Sequence, residues 1–212
     1  MCIRDRIYTL ESSQETLNKY PFPFVLEIGY RLKGNRIEVM WSVQNTGDKD
    51  MYFQIGAHPA FYYRDLDPTT HKRGYLDFGK KHTDLEYISP AEKGCVSDKR
   101  HILHAENGIM ELTCDTFMCD TYMFDNSQLQ KITLMDKEQK PYISLEFSSP
   151  LVAVWSPSAV HPDVPFVCIE PWYGRCDKVG YHGEFKDREW MQHLAPNKSF
   201  TTSYSIIIED IE

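Results

Sequence analysis

Two ionisable side chains occupy positions suited to chemistry. His58 lies in Phe53-Gln54-Ile55-Gly56-Ala57-His58-Pro59-Ala60-Phe61, between a small-residue turn and a proline, just after a strand-like run. Glu170 lies in Val167-Cys168-Ile169-Glu170-Pro171-Trp172, where a carboxylate again follows an apolar run and precedes a proline. Both read as strand ends, where backbone pairing stops. An imidazole and a carboxylate meeting from such positions make an acid and base pair for one small molecule. Each also has a plainer reading. His58 would serve equally as a hydrogen-bonded structural histidine, a residue type of intermediate burial. Glu170, behind Phe166-Val167-Cys168-Ile169, is set against a sheet interior. An unpaired carboxylate there is costly, so it calls for a cationic or donor partner.

Other residues carry weaker signals. Asp120 stands just before Thr121-Tyr122-Met123-Phe124, and Asp115 opens the same polar knot. Asp120 reads either as an acceptor for substrate hydroxyls or as a turn-forming residue that bonds its own backbone. Pro171-Trp172-Tyr173 is a rigid turn with two aromatic rings, a surface on which a sugar stacks or simply a packed corner. His71, His82, His101, His104, His161, His182 and His193 fall in polar stretches and read as solvated. The six cysteines, at 2, 95, 114, 119, 168 and 176, form no CxxC pair, and no two histidines have HxxxH spacing. Spacing therefore points to no metal site, and reduced thiols are expected, Cys168 as a small core residue.

Short strands must position these groups. Phe24 to Leu32 and Arg36 to Gln44 alternate apolar and polar residues about a Gly34-Asn35 hairpin turn. Further strands are expected at Ile7–Leu10, Met51–Ile55, Tyr75–Phe78, Leu85–Ile88, His101–Leu103, Ile109–Thr113 and Thr121–Phe124. The second half adds Lys131–Leu134, Tyr142–Phe147, Leu151–Trp155, Phe166–Ile169 and Thr201–Ile208. Only Glu184–Leu194 suggests a helical turn or two. Many short strands and almost no helix predict an all-β sandwich or barrel.

Composition bounds the function. A chain of 212 residues suits one β-rich domain, with 42% hydrophobic, 25% charged and 13% aromatic residues. A net charge of −8 disfavours nucleic acid and anionic membrane as partners. No apolar run reaches membrane-span length and no apolar signal core follows Met1, so a cytoplasmic protein is expected.

Phe53–Phe61 (FQIGAHPAF) and Cys168–Asp177 (CIEPWYGRCD) resemble the two signature segments of the aldose 1-epimerase, or galactose mutarotase-like, family. Asp115–Phe124 (DTFMCDTYMF), Leu151–Ser156 (LVAVWS), Gly180–Phe185 and Leu194-Ala195-Pro196 follow in family order over nearly all of the chain. The resemblance implies an antiparallel β-supersandwich and interconversion of the α and β anomers of an aldohexose without a cofactor. By motif, His58 matches the family's general acid and Glu170 its general base, and Asp120 resembles the aspartate that holds sugar hydroxyls.

The family pattern also includes strands ahead of the segment that Ile3-Arg4-Asp5-Arg6-Ile7-Tyr8 resembles, with a sugar-binding arginine and a second histidine. The chain is therefore expected to be an N-terminally truncated member, a single domain over 1–212 lacking its first strands. Its open strand edges would favour association, a homodimer for example. Two other readings stay open: a non-catalytic sugar-binding protein on the same fold, and a hexose-6-phosphate 1-epimerase with Arg175 and Lys178 at the rim.

Overall fold

The computed structural model describes residues 4–209; residues 1–3, including Cys2, and 210–212 lie outside the description. In chain order the strands are β1 (Arg4–Glu11), β2 (Phe24–Lys33), β3 (Arg36–Asn45), β4 (Met51–Phe53), β5 (Ile55–Gly56), β6 (Ala60–Tyr62), β7 (Lys72–Asp77), β8 (Asp84–Tyr87) and β9 (His101–His104). They continue as β10 (Ile109–Thr113), β11 (Tyr122–Phe124), β12 (Lys131–Met135), β13 (Pro141–Phe147), β14 (Leu151–Trp155), β15 (Phe166–Tyr173), β16 (Gln192–Leu194) and β17 (Ser199–Ile208).

Eight strands form one sheet in the order β1-β2-β3-β17-β13-β12-β7-β10. A second sheet runs β11-β14-β15-β5, with β6 also pairing β15, and all its strand pairs are antiparallel. The all-β expectation holds. Alternation sends Trp41, Leu76, Leu112, Ile132, Leu134, Leu145 and Tyr204 from the large sheet against Phe61, Phe124, Val152, Val154, Val167 and Ile169 from the small one. Burial of these side chains, at roughly 1.5–3 kcal/mol each, holds the two layers together. Among the described residues, no helix is long and apolar enough to cross a membrane.

Two local expectations are corrected. β15 does not stop before Glu170: it runs through Pro171 to Tyr173, with Pro171 opposite Val152 and Trp172 opposite Leu151. The ladder tolerates this proline because the neighbouring chain is itself interrupted between β5 and β6, and there the Pro171 carbonyl only has to accept, from Ala57 N–H at 3.1 Å. The Glu184–Leu194 stretch holds one 3₁₀ turn, Phe185–Asp187, and then becomes β16, which puts His193 in a strand beside Asp50 at 3.2 Å. A single helical turn, α1 (Gln14–Leu17), sits elsewhere, closed by reciprocal hydrogen bonds between Ser13 and Thr16. The strand expected at His101–Leu103 is β9, which extends one residue further to His104.

Candidate functional site

His58 sits in the gap between β5 and β6, two short strands that both pair with β15. Gly56 lies opposite Trp172 and Ala60 opposite Cys168, a common register that sets His58 across from Glu170. The gap has a local cause. Pro59 has no N–H to give, so its carbonyl accepts from Ile169 N–H at 3.3 Å while the ladder breaks and the His58 side chain turns outward.

Alternation along β15 points Val167 and Ile169 into the core and leaves Cys168, Glu170 and Trp172 on the other face. That face is partly roofed by Ile88, Val96, Met123 and Ala153, against which Trp172 and Cys176 pack. Glu170 is therefore 1% exposed although it lies on the outer side of its sheet.

His58 Nε2 is 3.4 Å from Glu170 Oε1. The second carboxylate oxygen, Oε2, is buried without a hydrogen-bond partner among the described residues. Such an orphan is costly in a structural role and useful in a site that expects a donor. Burial pushes the Glu170 carboxyl from its ordinary 4.5 up to about 8. The Trp172 indole N–H, which donates to the Ala57 carbonyl at 3.1 Å, works against that rise. The Trp155 ring stands edge-on to His58 at 5.8 Å between centroids and limits its orientation.

The cleft over this pair has a volume of about 390 Å³ and is lined by Gln54, Ala57, His58, Glu170, Trp172 and Arg175 among others. It is not the largest hollow in the molecule. One of about 750 Å³ lies by Asp77, Lys80, Glu106 and Glu111 at the β7–β10 edge, and one of about 570 Å³ crosses the large sheet near Ile7, Gly29, Met40 and Ser203. Two glycines shape the cleft over His58 and Glu170. A Cβ on Gly56 would lie 2.5 Å from Trp172 Cδ1, and a Cβ on Gly174, at φ +147, would lie 2.5 Å from Gln54.

The rim is charged but balanced. Arg175, almost wholly buried, ion-pairs with Glu189 Oε2. Lys178 reaches Glu189 Oε1 at 2.8 Å and Asp98 at 3.0 Å, and Arg188 reaches Asp177 at 2.6 Å.

Of the residues singled out in the sequence, His58 and Glu170 come together. Asp120 does not line this cleft. It precedes β11, two strands from β15, with a φ of +70 and its Oδ1 accepting from Thr121 Oγ1 at 2.7 Å. Cys168 flanks Glu170, and burial followed by the Glu170 charge pushes its thiol up to about 12, which leaves it protonated and inert. Trp155, Gln54 and Cys176 were not singled out as site residues. For Trp155 the signal was present: it ends β14 opposite Cys168, on the same face as Glu170.

Comparison with known proteins places the fold and the family. The family model described as aldose 1-epimerase matches residues 4–206. The chain is similar to the chromosomal protein LacX of Lactococcus lactis subsp. lactis, at 25% identity over 95% of this chain and 67% of LacX. Among solved structures, a galactose mutarotase related enzyme from Lactobacillus acidophilus superposes with a TM-score of 0.85 at 25% identity, covering 97% of this chain and 68% of that one. A galactose mutarotase-like protein from Lactobacillus casei gives 0.84 at 23% identity, covering 97% and 70%.

Proposed function

Because the chain belongs to the aldose 1-epimerase family, we propose that it interconverts the α and β anomers of an aldohexose by acid and base catalysis at His58 and Glu170. One observation carries the reading: His58 Nε2 stands 3.4 Å from a buried carboxylate whose other oxygen has no partner, at the floor of an open cleft. Ring opening removes a proton from the C1 hydroxyl while the ring oxygen receives one. Glu170 Oε2 takes the first proton. His58, whose side chain is 62% exposed at the cleft mouth, gives the second. Rotation about C1–C2 and reclosure with the roles reversed yields the other anomer, and the pair ends with the protons it began with.

The elevated carboxyl pKa fits a group that must both accept and return a proton near neutral pH. A C1 hydroxyl donating to Oε2 stabilises the ionised form at the moment it is needed. Trp155 and Trp172 offer apolar ring surface beside the pair for the sugar's C–H face. Asp120 takes a lesser part, holding hydroxyls of a sugar that extends beyond the cleft. Asp120→Asn should then raise KM with kcat little changed.

A neutral sugar is favoured over a sugar phosphate, because Arg175 and Lys178 are already matched by Glu189 and Asp98. The test is the approach to anomeric equilibrium of freshly dissolved α-glucose and α-galactose, followed by polarimetry or NMR exchange. Saturable acceleration that disappears in both His58→Ala and Glu170→Gln supports catalysis. Saturable binding with no acceleration by the unaltered protein overturns it in favour of a sugar-binding protein.

A further inference from the structure

Three metal-ligating side chains converge at the other sheet. The β7–β10 ladder ends with Thr113 opposite Lys72, and the pairing continues one step, as Cys114 N–H donates to the His71 carbonyl at 3.0 Å. Cross-strand neighbours held this way have Cβ atoms roughly 5 Å apart, so their side chains meet. Cys114 Sγ lies 2.9 Å from His71 Nδ1 and 3.7 Å from Asp115 Oδ1. Asp115 Oδ2 lies 3.7 Å from His71 Nε2. One donor atom from each of the three residues lies within 4.8 Å of the other two. The turn that carries Asp115 is braced by Thr113 N–H donating to Thr116 Oγ1 at 2.7 Å and Asp115 N–H to Thr113 Oγ1 at 3.3 Å.

We propose that His71, Cys114 and Asp115 form a binding site for a thiophilic divalent cation of the zinc type. Tetrahedral zinc, with bonds of about 2.0–2.3 Å to nitrogen, oxygen and sulfur, sets its ligand atoms roughly 3.3–3.7 Å apart. The sulfur–oxygen separation already falls there, and the sulfur–nitrogen pair has to open by roughly 0.5 Å, which the exposed imidazole allows by a small rotation. Three protein ligands leave the fourth position for water. A thiolate with an imidazole selects zinc, cobalt or cadmium over magnesium or calcium. Binding displaces the Cys114 thiol proton to solvent, and thiolate plus carboxylate neutralise the cation.

Neighbouring cations do not fill the place. Lys72 is drawn to Glu111 at 3.6 Å and over the Tyr75 ring at 4.4 Å, while Lys137 donates to Thr70 at 3.2 Å. The bound ion ties the turn after β10, at the edge of the large sheet, to the segment entering β7. Spacing in the sequence hides the site, because two of its ligands come from segments that meet only through the ladder. The other cluster of this type among the described residues, His58, Cys168 and Glu170, belongs to the cleft and offers a thiol that burial keeps protonated.

Cobalt(II) provides the probe. Titrated into the intact, metal-stripped chain, it should give a thiolate-to-cobalt charge-transfer band in the near ultraviolet that saturates at one equivalent and is displaced by zinc. Cys114→Ser should abolish the band. His71→Ala should weaken binding beyond the 10- to 100-fold typical of outer-sphere changes, and Cys168→Ser should leave it unchanged. Zinc should raise the Tm of the unaltered protein but not of Cys114→Ser. No band at one equivalent overturns the proposal, as does a band that survives Cys114→Ser. His71 and Asp115 are exposed and Cys114 is half-buried, and Cys114→Ser keeps the side chain's size, so the variants test binding rather than folding.

Discussion

His58 and Glu170 face each other at 3.4 Å across a solvent boundary, the first with a side chain 62% exposed and the second 2% exposed. In the proposed reaction this asymmetry suits the two to different duties: burial raises the basicity of the carboxylate, while the imidazole stands open to solvent.

Replacing either partner should lower kcat for anomer exchange by about 10²- to 10⁴-fold, the usual contribution of one positioned acid or base. The double variant His58→Asn/Glu170→Gln should be little worse than the poorer single variant, since the two act as a unit. NMR exchange rates on purified variants decide this. Multiplying losses would mean that the two residues act independently.

Glu170 also sets a pH signature. Its folded carboxyl titrates near 8 against an ordinary 4.5, so the ionised base accumulates only as pH approaches 8, and the base-dependent limb of kcat/KM should rise across pH 6–8. Stability runs the opposite way. Below about 4.5 the group is protonated in folded and unfolded chains alike, and it costs nothing. Between 4.5 and about 8 the unfolded chain ionises first and the native state loses stability, a few kcal/mol at roughly 1.4 kcal/mol per unit. Urea denaturation should therefore show Glu170→Gln gaining on the unaltered protein through this window and holding level outside it.

Gly56→Ala tests how the cleft is shaped. The new methyl would meet Trp172 Cδ1 at 2.5 Å, forcing the indole off its hydrogen bond to the Ala57 carbonyl. Overpacking of this kind costs roughly 1–3 kcal/mol. Denaturation should report a loss of that size, with a fall in kcat because the displaced ring no longer borders the Glu170 carboxyl. Unchanged stability would show that Trp172 has room to move.

Arg100 grips Asp125 with two bonds, 3.0 and 2.7 Å, and Asp125 is 1% exposed. Arg100→Met leaves that carboxylate buried without its cation and should cost about 3–5 kcal/mol at neutral pH. Adding Asp125→Leu should recover much of the loss in the same urea titration, because the buried charge is then gone. A mild single variant would mean that water reaches Asp125.

The fold was legible where alternation was strong. β2 and β3 follow directly from the alternation of their residues about the hairpin, and β14 from a short apolar run bounded by Pro150 and Pro157. The sequence ends β15 too early, because a proline such as Pro171 normally ends pairing, and the gap between β5 and β6 explains why it does not here. The site was legible in kind, through two ionisable residues in distinctive settings and their family resemblance. Its contact was not. His58 meets Glu170 through register with a strand far along the chain, and Trp155 joins them through a second strand. The convergence of His71 with Cys114 arises from the same long-range pairing, at a place where local sequence shows only a polar stretch.

The rim should decide substrate charge. Glu189 binds both Arg175 and Lys178, so a phosphate entering there would have to displace a carboxylate already paired with two cations. The protein should therefore act on free hexoses in preference to their 6-phosphates. Glu189→Gln takes the carboxylate from Arg175 and leaves Lys178 with Asp98 alone, while keeping the shape of the side chain, and it should narrow or reverse that preference. The gain should shrink at high salt, because it rests on partly exposed charges. Measuring kcat/KM for a hexose and its 6-phosphate, in both proteins and at two ionic strengths, gives the answer. A strong preference for the phosphate in the unaltered protein would instead show that the bound anion takes over the partners of Glu189, making this rim a phosphate site.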